Sequence, residues 1–236
     1  MADVTLADLM KKREENLDSR KEERIEKIRE KIDLTDKSAI SLYGSGVEME
    51  IADLSNMVLK YTKENSVDDS RELMEKLLEI IGSAEGIDRG SFEKLRTQVE
   101  SMEAGLEKSS MALLKYLDIL ERLYEKNKEY DQYLELYILA GEQEEKHIEE
   151  KLLPALKAEA RTLGSGQAAL AVRDYESALG QFEGRINDLK ISKAMAAQTG
   201  AQISLLQEGV RLLWEKIREL LDQTLPLWKK QMALNR

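Results

Sequence analysis

An apolar seam runs through the middle of the chain with alternating spacings of three and four residues. It passes through Val99, Met102, Leu106, Ser109, Leu113, Tyr116, Leu120, Leu123, Asn127, Tyr130, Leu134, Tyr137 and Gly141. Ten of these thirteen positions are apolar or tyrosine, and no proline interrupts them. A period of about 3.5 residues keeps one stripe of a helix against a partner helix. The seam therefore predicts a long helix, about 60 Å in length, with an extended face and no obvious pocket.

A second seam with the same spacing occupies the last third of the chain. It passes through Val172, Tyr175, Leu179, Phe182, Ile186 and Leu189, weakens at Lys193, Ala196 and Gly200, and resumes at Ile203, Leu206, Val210, Leu213, Ile217 and Leu220. The small residues of the weak stretch permit either a close helix approach or a bend. Gly164-Ser165-Gly166 lies between the seams and predicts a reversal of the chain. These patterns predict an all-α fold, an elongated bundle of long antiparallel coiled-coil-like helices.

Shorter helices are predicted before the first seam, which gives four consecutive segments. Residues 1–33 form a charged N-terminal helical arm, and residues 34–90 form a small helical subdomain and a linker. In this subdomain Thr35 or Asp36 caps a short helix that Gly44 ends, and helices follow over 47–63 and from Ser66 to Gly82. Residues 91–163 form the first long helix, which Pro154 is expected to kink or end. Residues 164–236 form the return helices of the hairpin.

Composition excludes several classes of function. The formal net charge of −10 disfavours nucleic acid as a partner, because binding there depends on neutralising phosphates. The chain has no cysteine, which rules out disulfides, thiolate metal sites and thiol redox chemistry within it. It contains neither an 18-residue apolar stretch nor the apolar core of an N-terminal secretory signal. We therefore expect a cytoplasmic protein that is at most peripheral to a membrane.

The candidate metal ligands are Glu144 and His147, which have the Glu-x-x-His spacing of di-iron helical bundles. His147 is the only histidine, so the second half of such a site would have to come from a homodimer. The surrounding EQEEKHIEEK is more typical of a solvated charged face. We predict no metal and no cofactor, with these two residues as the weak candidates. No nucleophile–base–acid arrangement is evident, and we predict that the protein is not an enzyme.

Two further groups of residues are candidates for turns or interactions. Tyr43-Gly44-Ser45-Gly46 lacks the Gly-Lys-Ser/Thr of a phosphate loop, so Tyr43, Gly44 and Gly46 are predicted to form a turn. Tyr130, Leu134 and Tyr137 fall on the seam and are predicted to pack in a core or an interface. The tyrosines off the seam, Tyr124 and Tyr133, could mark a second contact face.

The C-terminal segment is basic within an acidic chain. From Arg211 onward it has six Lys or Arg against three Asp or Glu, and it contains Trp214 and Trp228. A basic amphipathic helix with tryptophan is typical of binding to an anionic membrane surface. The alternative, which we favour, is packing against the preceding helices because the heptad phase continues the seam. Pro226 and Trp228 are the candidate residues of this segment.

Three stretches are more specific than a generic coiled coil, and they cover Ile32–Leu59, Leu120–Gly141 and Ile186–Gln231. Their most specific parts are the Tyr-Gly-x-Gly turn at 43–46, the LELYILAG segment at 134–141 and PLWKKQ at 226–231. Together these stretches resemble the TelA (also called KlaA) family of bacterial toxic-anion, or tellurite, resistance proteins. Family members continue past PLWKxQ with another long helix, so a chain that stops at Arg236 is interpreted as a short member or a truncated form.

The resemblance implies a resistance phenotype without established catalytic residues. Reduction of tellurite needs thiols or a redox cofactor, and this chain has no cysteine and no recognisable cofactor motif. Sequestration of an oxyanion calls for an arginine-rich or helix-N-terminal site, which a net charge of −10 opposes. We therefore predict a helical scaffold or adaptor in envelope or anion stress, acting through a protein partner, with a homodimer as one way to pair the seams. The alternatives are a peripheral membrane protein anchored by residues 211–232 and a dimeric metal enzyme or sensor at Glu144 and His147.

Overall fold

A computed structural model describes residues 6–64, 67–83 and 89–234, and over these ranges the chain is all-α. The helices are α1 (Leu6–Arg29), α2 (Lys37–Leu42), α3 (Ser45–Glu64), α4 (Val67–Ser83), α5 (Arg89–His147), α6 (Leu153–Leu163), α7 (Gly166–Glu219) and α8 (Leu225–Leu234). Two π-helical segments, Ile148–Leu152 and Leu220–Thr224, join α5 to α6 and α7 to α8. Within the described residues, no helix has the length and hydropathy needed to cross a bilayer.

The chain divides into two compact units. The first unit contains the residues up to Asp53 together with Asn127–Gln198, and the second contains Leu54–Lys126 together with the residues from Thr199 onward. The four predicted segments are consecutive in sequence, whereas each unit combines distant segments. This difference arises because α5 and α7 are antiparallel, which brings the end of one helix beside the start of the other.

Polar contacts within each unit show that α5 and α7 pack in antiparallel directions. In the first unit, Asn127 Nδ2 donates to the Ala196 carbonyl at 2.9 Å, Lys193 pairs with Glu135 at 2.9 Å, and Lys190 pairs with Glu142 at 2.9 Å. Later positions on α5 therefore meet earlier positions on α7. In the second unit Gln207 of α7 donates to Glu121 at 2.8 Å, and Lys229 of the following helix α8 pairs with Glu103 at 2.5 Å. The predicted reversal at Gly164-Ser165-Gly166 is confirmed, with Gly164 in a left-handed conformation at φ 59°.

The two predicted seams are the buried faces of α5 and α7. Every seam position from Val99 to Gly141 is buried or half-buried, and so is every position of the return seam from Val172 to Leu220. The weak stretch of the second seam is buried at Ala196 and Gly200, and the Asn127 side chain donates to the Ala196 carbonyl there. Small residues on this part of α7 leave its main chain accessible to the Asn127 side chain.

The core of the first unit gathers residues from the N-terminal helices and from the hairpin. Its fully buried side chains include Ile51 of α3, Leu134 of α5 and Phe182, Ile186 and Leu189 of α7. The short helices form largely as predicted. Asp36 caps α2 by accepting from the Ser38 N–H, and α3 begins at Ser45. The predicted start of α4 at Ser66 lies outside the described residues, and α4 continues one residue past Gly82.

Both π-helical segments stand directly before a Leu-Pro pair. Leu153 donates its N–H to the Ile148 carbonyl, and Leu225 donates to the Leu220 carbonyl, five residues back in each case. Proline lacks an N–H and its ring conflicts with the carbonyl four residues earlier, and a wider π turn accommodates both effects. Pro154 therefore does not end the helix, contrary to one of the predicted outcomes, because α6 continues to Leu163.

Each π segment also shifts the seam by one residue. Leu220, the last position of the predicted seam, and its neighbour Leu221 are both buried, and the buried stripe continues to Leu225, five residues after Leu220, and to Trp228, while Leu227 is exposed. From Ile148 it steps five residues to the half-buried Leu153. A strict three-four spacing would have buried position 227, so the predicted continuation of the heptad phase through the C-terminal segment is wrong by one residue.

Candidate functional site

The turn that joins α2 to α3 in the first unit is formed by Tyr43 and Gly44, whereas Gly46, which the sequence also predicts to lie in the turn, is helical. Gly44 is buried and has φ +69°, a left-handed conformation in which glycine carries no steric penalty. A Cβ at this position would lie 2.8 Å from both methyl carbons of Leu189. Gly46 is the second residue of α3 and is exposed, and a Cβ added there would meet no atom within 4 Å. The two glycines therefore have different roles, and only Gly44 is required by the packing of the turn.

The Tyr43 side chain fastens this turn to the LELYILAG segment. Its hydroxyl donates to the Tyr137 carbonyl at 2.6 Å. Its ring meets Tyr137 and Phe182 edge-on, at centroid distances of 5.3 and 5.1 Å. Burial raises the pKa of Tyr43 well above its usual value, so the hydroxyl keeps its proton. A Cβ on Gly141 would lie 2.9 Å from Ile186 and 3.4 Å from the Tyr43 hydroxyl, so the close approach needs glycine there.

Arg185 of α7 holds the other side of the turn. Its Nε donates to the Tyr43 carbonyl at 2.8 Å, and a terminal nitrogen donates to Glu48 at 2.7 Å. The second oxygen of Glu48 accepts from the Ser192 hydroxyl at 2.8 Å. Desolvation acts to raise the pKa of Glu48, but the hydrogen bonds from Arg185 and Ser192 and the arginine charge hold it below its usual value. Arg185, Glu48 and Ser192 thus form a charged hydrogen-bond network within the protein.

The contact that the turn makes with α5 and α7, through Tyr43, Gly44, Gly141 and Arg185, is called the joint. Of the seam candidates, Tyr137 lies at this joint, and the other two lie in or beside the core. Leu134 is fully buried and belongs to the main hydrophobic cluster of the first unit. Tyr130 is half-buried at the edge of that cluster, and its hydroxyl donates to Glu50 at 2.9 Å. That hydrogen bond raises the pKa of Tyr130. Of the tyrosines off the seam, Tyr124 is half-buried and Tyr133 is exposed. Tyr43, Gly44, Tyr130, Leu134 and Tyr137 therefore lie around one cluster.

The C-terminal candidates lie in the second unit. Pro226 is exposed, whereas Trp228 is buried, with 7% of its surface accessible. Lys229 is engaged with Glu103 at 2.5 Å. A pocket of about 420 Å³ lies beside them, lined by Arg96, Val99, Glu100, Trp228, Lys229, Met232 and Ala233. The tryptophan and the lysine required for a membrane anchor are thus occupied by packing and by an ion pair.

The two candidate metal ligands, Glu144 and His147, lie near the end of α5. Glu144 pairs with Arg29 at 3.0 Å, and His147 is exposed. Among the described residues, the acidic group with metal-compatible geometry is instead Glu145, Glu149 and Glu183. Desolvation, followed by the charges of Glu183 and Glu149, raises the pKa of Glu145. This is the behaviour expected of carboxylates that repel one another.

Sequence reasoning missed Arg185, Glu48 and Ser192. Arg185 directly precedes the seam residue Ile186, and Ser192 directly precedes the seam position Lys193, so neither breaks the apolar pattern. The one available signal was the position of Glu48 just after the glycine turn. An ion pair between residues 137 positions apart has no periodic signature in a sequence.

Chemically, the joint is suited to fixing a chain conformation. The tyrosine is protonated, the arginine and the glutamate satisfy each other, and the glycines allow the main chains to approach. Two of the three most specific resemblance motifs, the glycine turn and LELYILAG, meet at this joint. The third, PLWKKQ, builds the end of the second unit.

Comparison with known proteins agrees with these motifs. Residues 89–236 match the model of the family described as toxic anion resistance protein (TelA). A TelA-like protein of Staphylococcus aureus is 27% identical over 243 residues, covering 93% of this chain and 64% of that protein. An uncharacterized protein of Bacillus subtilis, YaaN, is 28% identical over 227 residues, covering 86% of this chain and 59% of its own length.

This chain therefore spans about three-fifths of the length of those curated relatives. No solved structure shows a significant match to it. The family match extends over more than half of the chain and includes LELYILAG and PLWKKQ. The chain belongs to the TelA family of toxic anion resistance proteins.

Proposed function

We propose that this protein is a non-enzymatic helical scaffold or adaptor that supports toxic-anion resistance, in bacterial envelope or anion stress, by binding another protein. It acts in the cytoplasm, with or without peripheral membrane association. The observation that carries this proposal is the use of the motif residues. The joint uses Tyr43, Gly44, Tyr137 and Gly141 for internal packing. The Tyr43 hydroxyl donates to the Tyr137 carbonyl, and the two glycines allow the main chains to pack closely.

Exposed apolar side chains on α7 supply the surface for such contacts. Ile191 and Met195 in the first unit have 62% and 47% of their surface exposed, and Leu205 and Leu212 in the second unit have 69% and 52%. Leu205 and Leu212 are seven residues apart, so they lie on one face of the helix, away from the buried seam. Apolar residues of this kind contribute to association when a partner covers them.

The alternatives require contacts in the structure to be given up. A membrane anchor would need Trp228 to leave its buried position and Lys229 to leave Glu103. A metal site at Glu144 would need that carboxylate to leave Arg29. The scaffold proposal requires neither change.

The test is affinity capture of the tagged chain from its native cells, grown with and without tellurite. Soluble and membrane fractions are kept apart, and co-purifying proteins are identified by mass spectrometry. Wild type is compared with Leu205→Glu/Leu212→Glu, and the matched control is Leu163→Glu, which alters another exposed leucine. Circular dichroism checks that all three proteins stay folded.

We expect a stoichiometric protein partner with the wild type and the control, and its loss with the double variant. Recovery of lipid without a protein partner would favour the peripheral-membrane alternative. A protein recovered without partner or lipid from both cultures would contradict the proposal.

A further inference from the structure

The described side chains of helix α1 pack against the rest of the first unit near the C-terminal end of the helix. Every described side chain from Met10 to Arg24 is exposed. Among the described side chains of α1, Ile25 is buried and Ile28 and Arg29 are half-buried, all within the last turn and a half of the helix. Ile25 packs with Leu136 and Ala140 of α5 in a small cluster separate from the main core of the unit.

Two ion pairs flank this small cluster. Lys21 meets Glu135 at 2.5 Å, and Arg29 meets Glu144 at 3.0 Å. Both partners advance together along α1 and α5, so the two helices are parallel at this contact. The residues Glu135, Leu136, Ala140 and Glu144 thus form a strip on α5 that is apolar in the middle and acidic at both ends; we call it the α5 strip.

The two ion pairs differ in whether the glutamate has another cationic partner and in how exposed the paired side chains are. Glu135 also accepts from Lys193 of α7 at 2.9 Å, and it therefore keeps a cationic partner if α1 leaves. The Arg29–Glu144 pair is the less exposed one, with 23% and 20% of the two side chains accessible, against 44% and 40% for Lys21 and Glu135. Arg29 is therefore the main polar latch of α1.

The connection that follows α1 allows the helix to move without disturbing the core. Residues 30–36 are not helical, and Leu34 within them is buried in the main cluster of the unit. A chain anchored at Leu34 can lose the α1 contact and still hold α2 and the glycine turn in place.

We propose that α1 is a releasable cover, latched by Arg29 on Glu144, and that its release opens the α5 strip to a partner helix. The partner has the chemistry of α1 itself: an amphipathic helix with an isoleucine between two cations spaced eight residues apart. The partner half of this inference rests on the proposed adaptor function. Release is measured on the isolated protein, so its failure would leave the capture experiment above unaffected.

Hydrogen–deuterium exchange of the full chain tests the release. The variants are Arg29→Glu, which breaks the latch, and Arg29→Glu/Glu144→Arg, which rebuilds it with the charges exchanged. The matched control is Arg24→Glu, which makes the same charge change at an exposed position of α1. Exchange is followed in residues 21–29 and, as a reference for the core, in residues 182–189.

We expect Arg29→Glu to speed exchange of residues 21–29 by about tenfold or more, because a locally stabilised segment opens when its contacts are lost. Residues 182–189 should stay unchanged, the exchanged pair should restore slow exchange, and Arg24→Glu should resemble the wild type. Unchanged exchange in Arg29→Glu would overturn the latch. Equal acceleration in residues 182–189, failure of the exchanged pair, or the same effect from Arg24→Glu would overturn it as well.

Fluorescence anisotropy with a labelled synthetic peptide of residues 18–33 tests the docking surface. Apparent affinity scales with the fraction of protein whose site is open. We expect the peptide to bind Arg29→Glu about tenfold more tightly than the wild type. The exchanged pair should lose binding, because the arginine introduced at position 144 repels the arginine of the peptide. Equal affinity for all three proteins, or no binding to Arg29→Glu, would overturn the docking surface even if release is observed.

Discussion

At the scale of single residues, the joint between the glycine turn and α7 depends on the absence of one side chain. Gly44 combines a left-handed backbone with a position 2.8 Å from the Leu189 methyl groups. Either constraint alone could be relieved by a small shift. An alanine at this position would meet both constraints at once, because it would hold an unfavourable left-handed backbone and place its Cβ against the Leu189 methyl groups.

Gly44→Ala should lower the free energy of unfolding by about 2–4 kcal/mol, from the left-handed backbone and from crowding in the core. Urea denaturation followed by circular dichroism measures this change. The control is Gly46→Ala, where nothing crowds the added carbon and alanine favours the helix. The control should be neutral or stabilising by up to about 1 kcal/mol. Equal losses for both variants would contradict the assignment of the two glycines.

Two glutamates of the first unit should respond to pH with opposite signs. The pKa of Glu48 is lowered in the folded state, so its contribution to stability is present above its usual pKa and is lost as the pH falls through the folded value. The pKa of Glu145 is raised, so its ionised form destabilises the fold at neutral pH, and stability is regained as the pH falls through that raised value.

Glu48→Gln should therefore cost about 1–3 kcal/mol at neutral pH, since it weakens hydrogen bonds to a charged group. Glu145→Gln should stabilise by up to about 1 kcal/mol under the same conditions, because it removes like-charge repulsion. Urea titrations over a series of pH values falling from about 7 measure both effects. The Glu145 effect should shrink first, as the pH falls through the raised pKa of Glu145, and the Glu48 effect should shrink only below the usual glutamate range, as the pH approaches the lowered pKa of Glu48. A stabilising Glu48→Gln or a destabilising Glu145→Gln at neutral pH would reverse the assigned signs.

The residues of the joint show what sequence patterns convey at this scale. The glycine turn and the seam tyrosines could be predicted because turn chemistry and helical period are local properties. The partners of the turn, Arg185 and Ser192, could not be predicted, because they come from a distant helix and the apolar period carries no information about polar neighbours.

At the scale of helices, the π segments keep the apolar faces in phase across each proline. The seam before Leu220 and the seam after Leu225 are offset by one residue, and the π turn supplies that residue. The lengths and the antiparallel order of α5 and α7 could be predicted from the period and the glycine reversal. The offset could not, because a three-four spacing continued from Leu220 reaches Leu227, and the apolar pattern does not reveal the extra residue of a π turn.

Deletion of one residue within a π segment should therefore be tolerated, because the segment contains one residue more than a regular helix needs at that place. Deletion of the exposed Asp222, combined with Pro226→Ala, should give a regular helix that still buries Leu225 and Trp228. Deletion of the exposed Glu215 with the same proline change should misalign the stripe that follows, by about 100° of helix rotation.

Thermal denaturation followed by circular dichroism distinguishes the two deletions. The Asp222 deletion should keep a melting temperature within about 5 °C of the Pro226→Ala parent, a shift of about 1 kcal/mol or less. The Glu215 deletion should lose the cooperative transition of the second unit. Similar melting temperatures for both deletions would show that the π segment does not set the phase.

At the scale of the whole chain, each unit depends on its share of the two seams. Leu134 serves the first unit, and Leu120 and Leu213 serve the second, with 4% or less of their surface exposed. The all-α class followed from the period alone. The grouping into two units could not be predicted from consecutive segments, because it depends on which parts of the antiparallel helices the N-terminal helices pack against.

Substitution of Leu120, Leu134 or Leu213 by aspartate should destabilise the affected unit by more than about 4 kcal/mol, because an unpaired carboxylate enters an apolar core. Helical circular dichroism should fall, and any partner binding should be lost. The controls are Leu114→Asp on α5 and Leu170→Asp on α7, since both leucines are exposed. Unchanged helicity in all three core variants would refute the seam model.

The one-residue offset before each Leu-Pro pair has a consequence for how such sequences diverge. A helix that already contains an extra residue at a defined place can lose it, or regain it, with little disturbance on either side. Alignments of family members should therefore concentrate single-residue gaps within Ile148–Leu152 and Leu220–Thr224 and exclude them from the seams. Lineages that have lost the proline should be those that have also lost the extra residue.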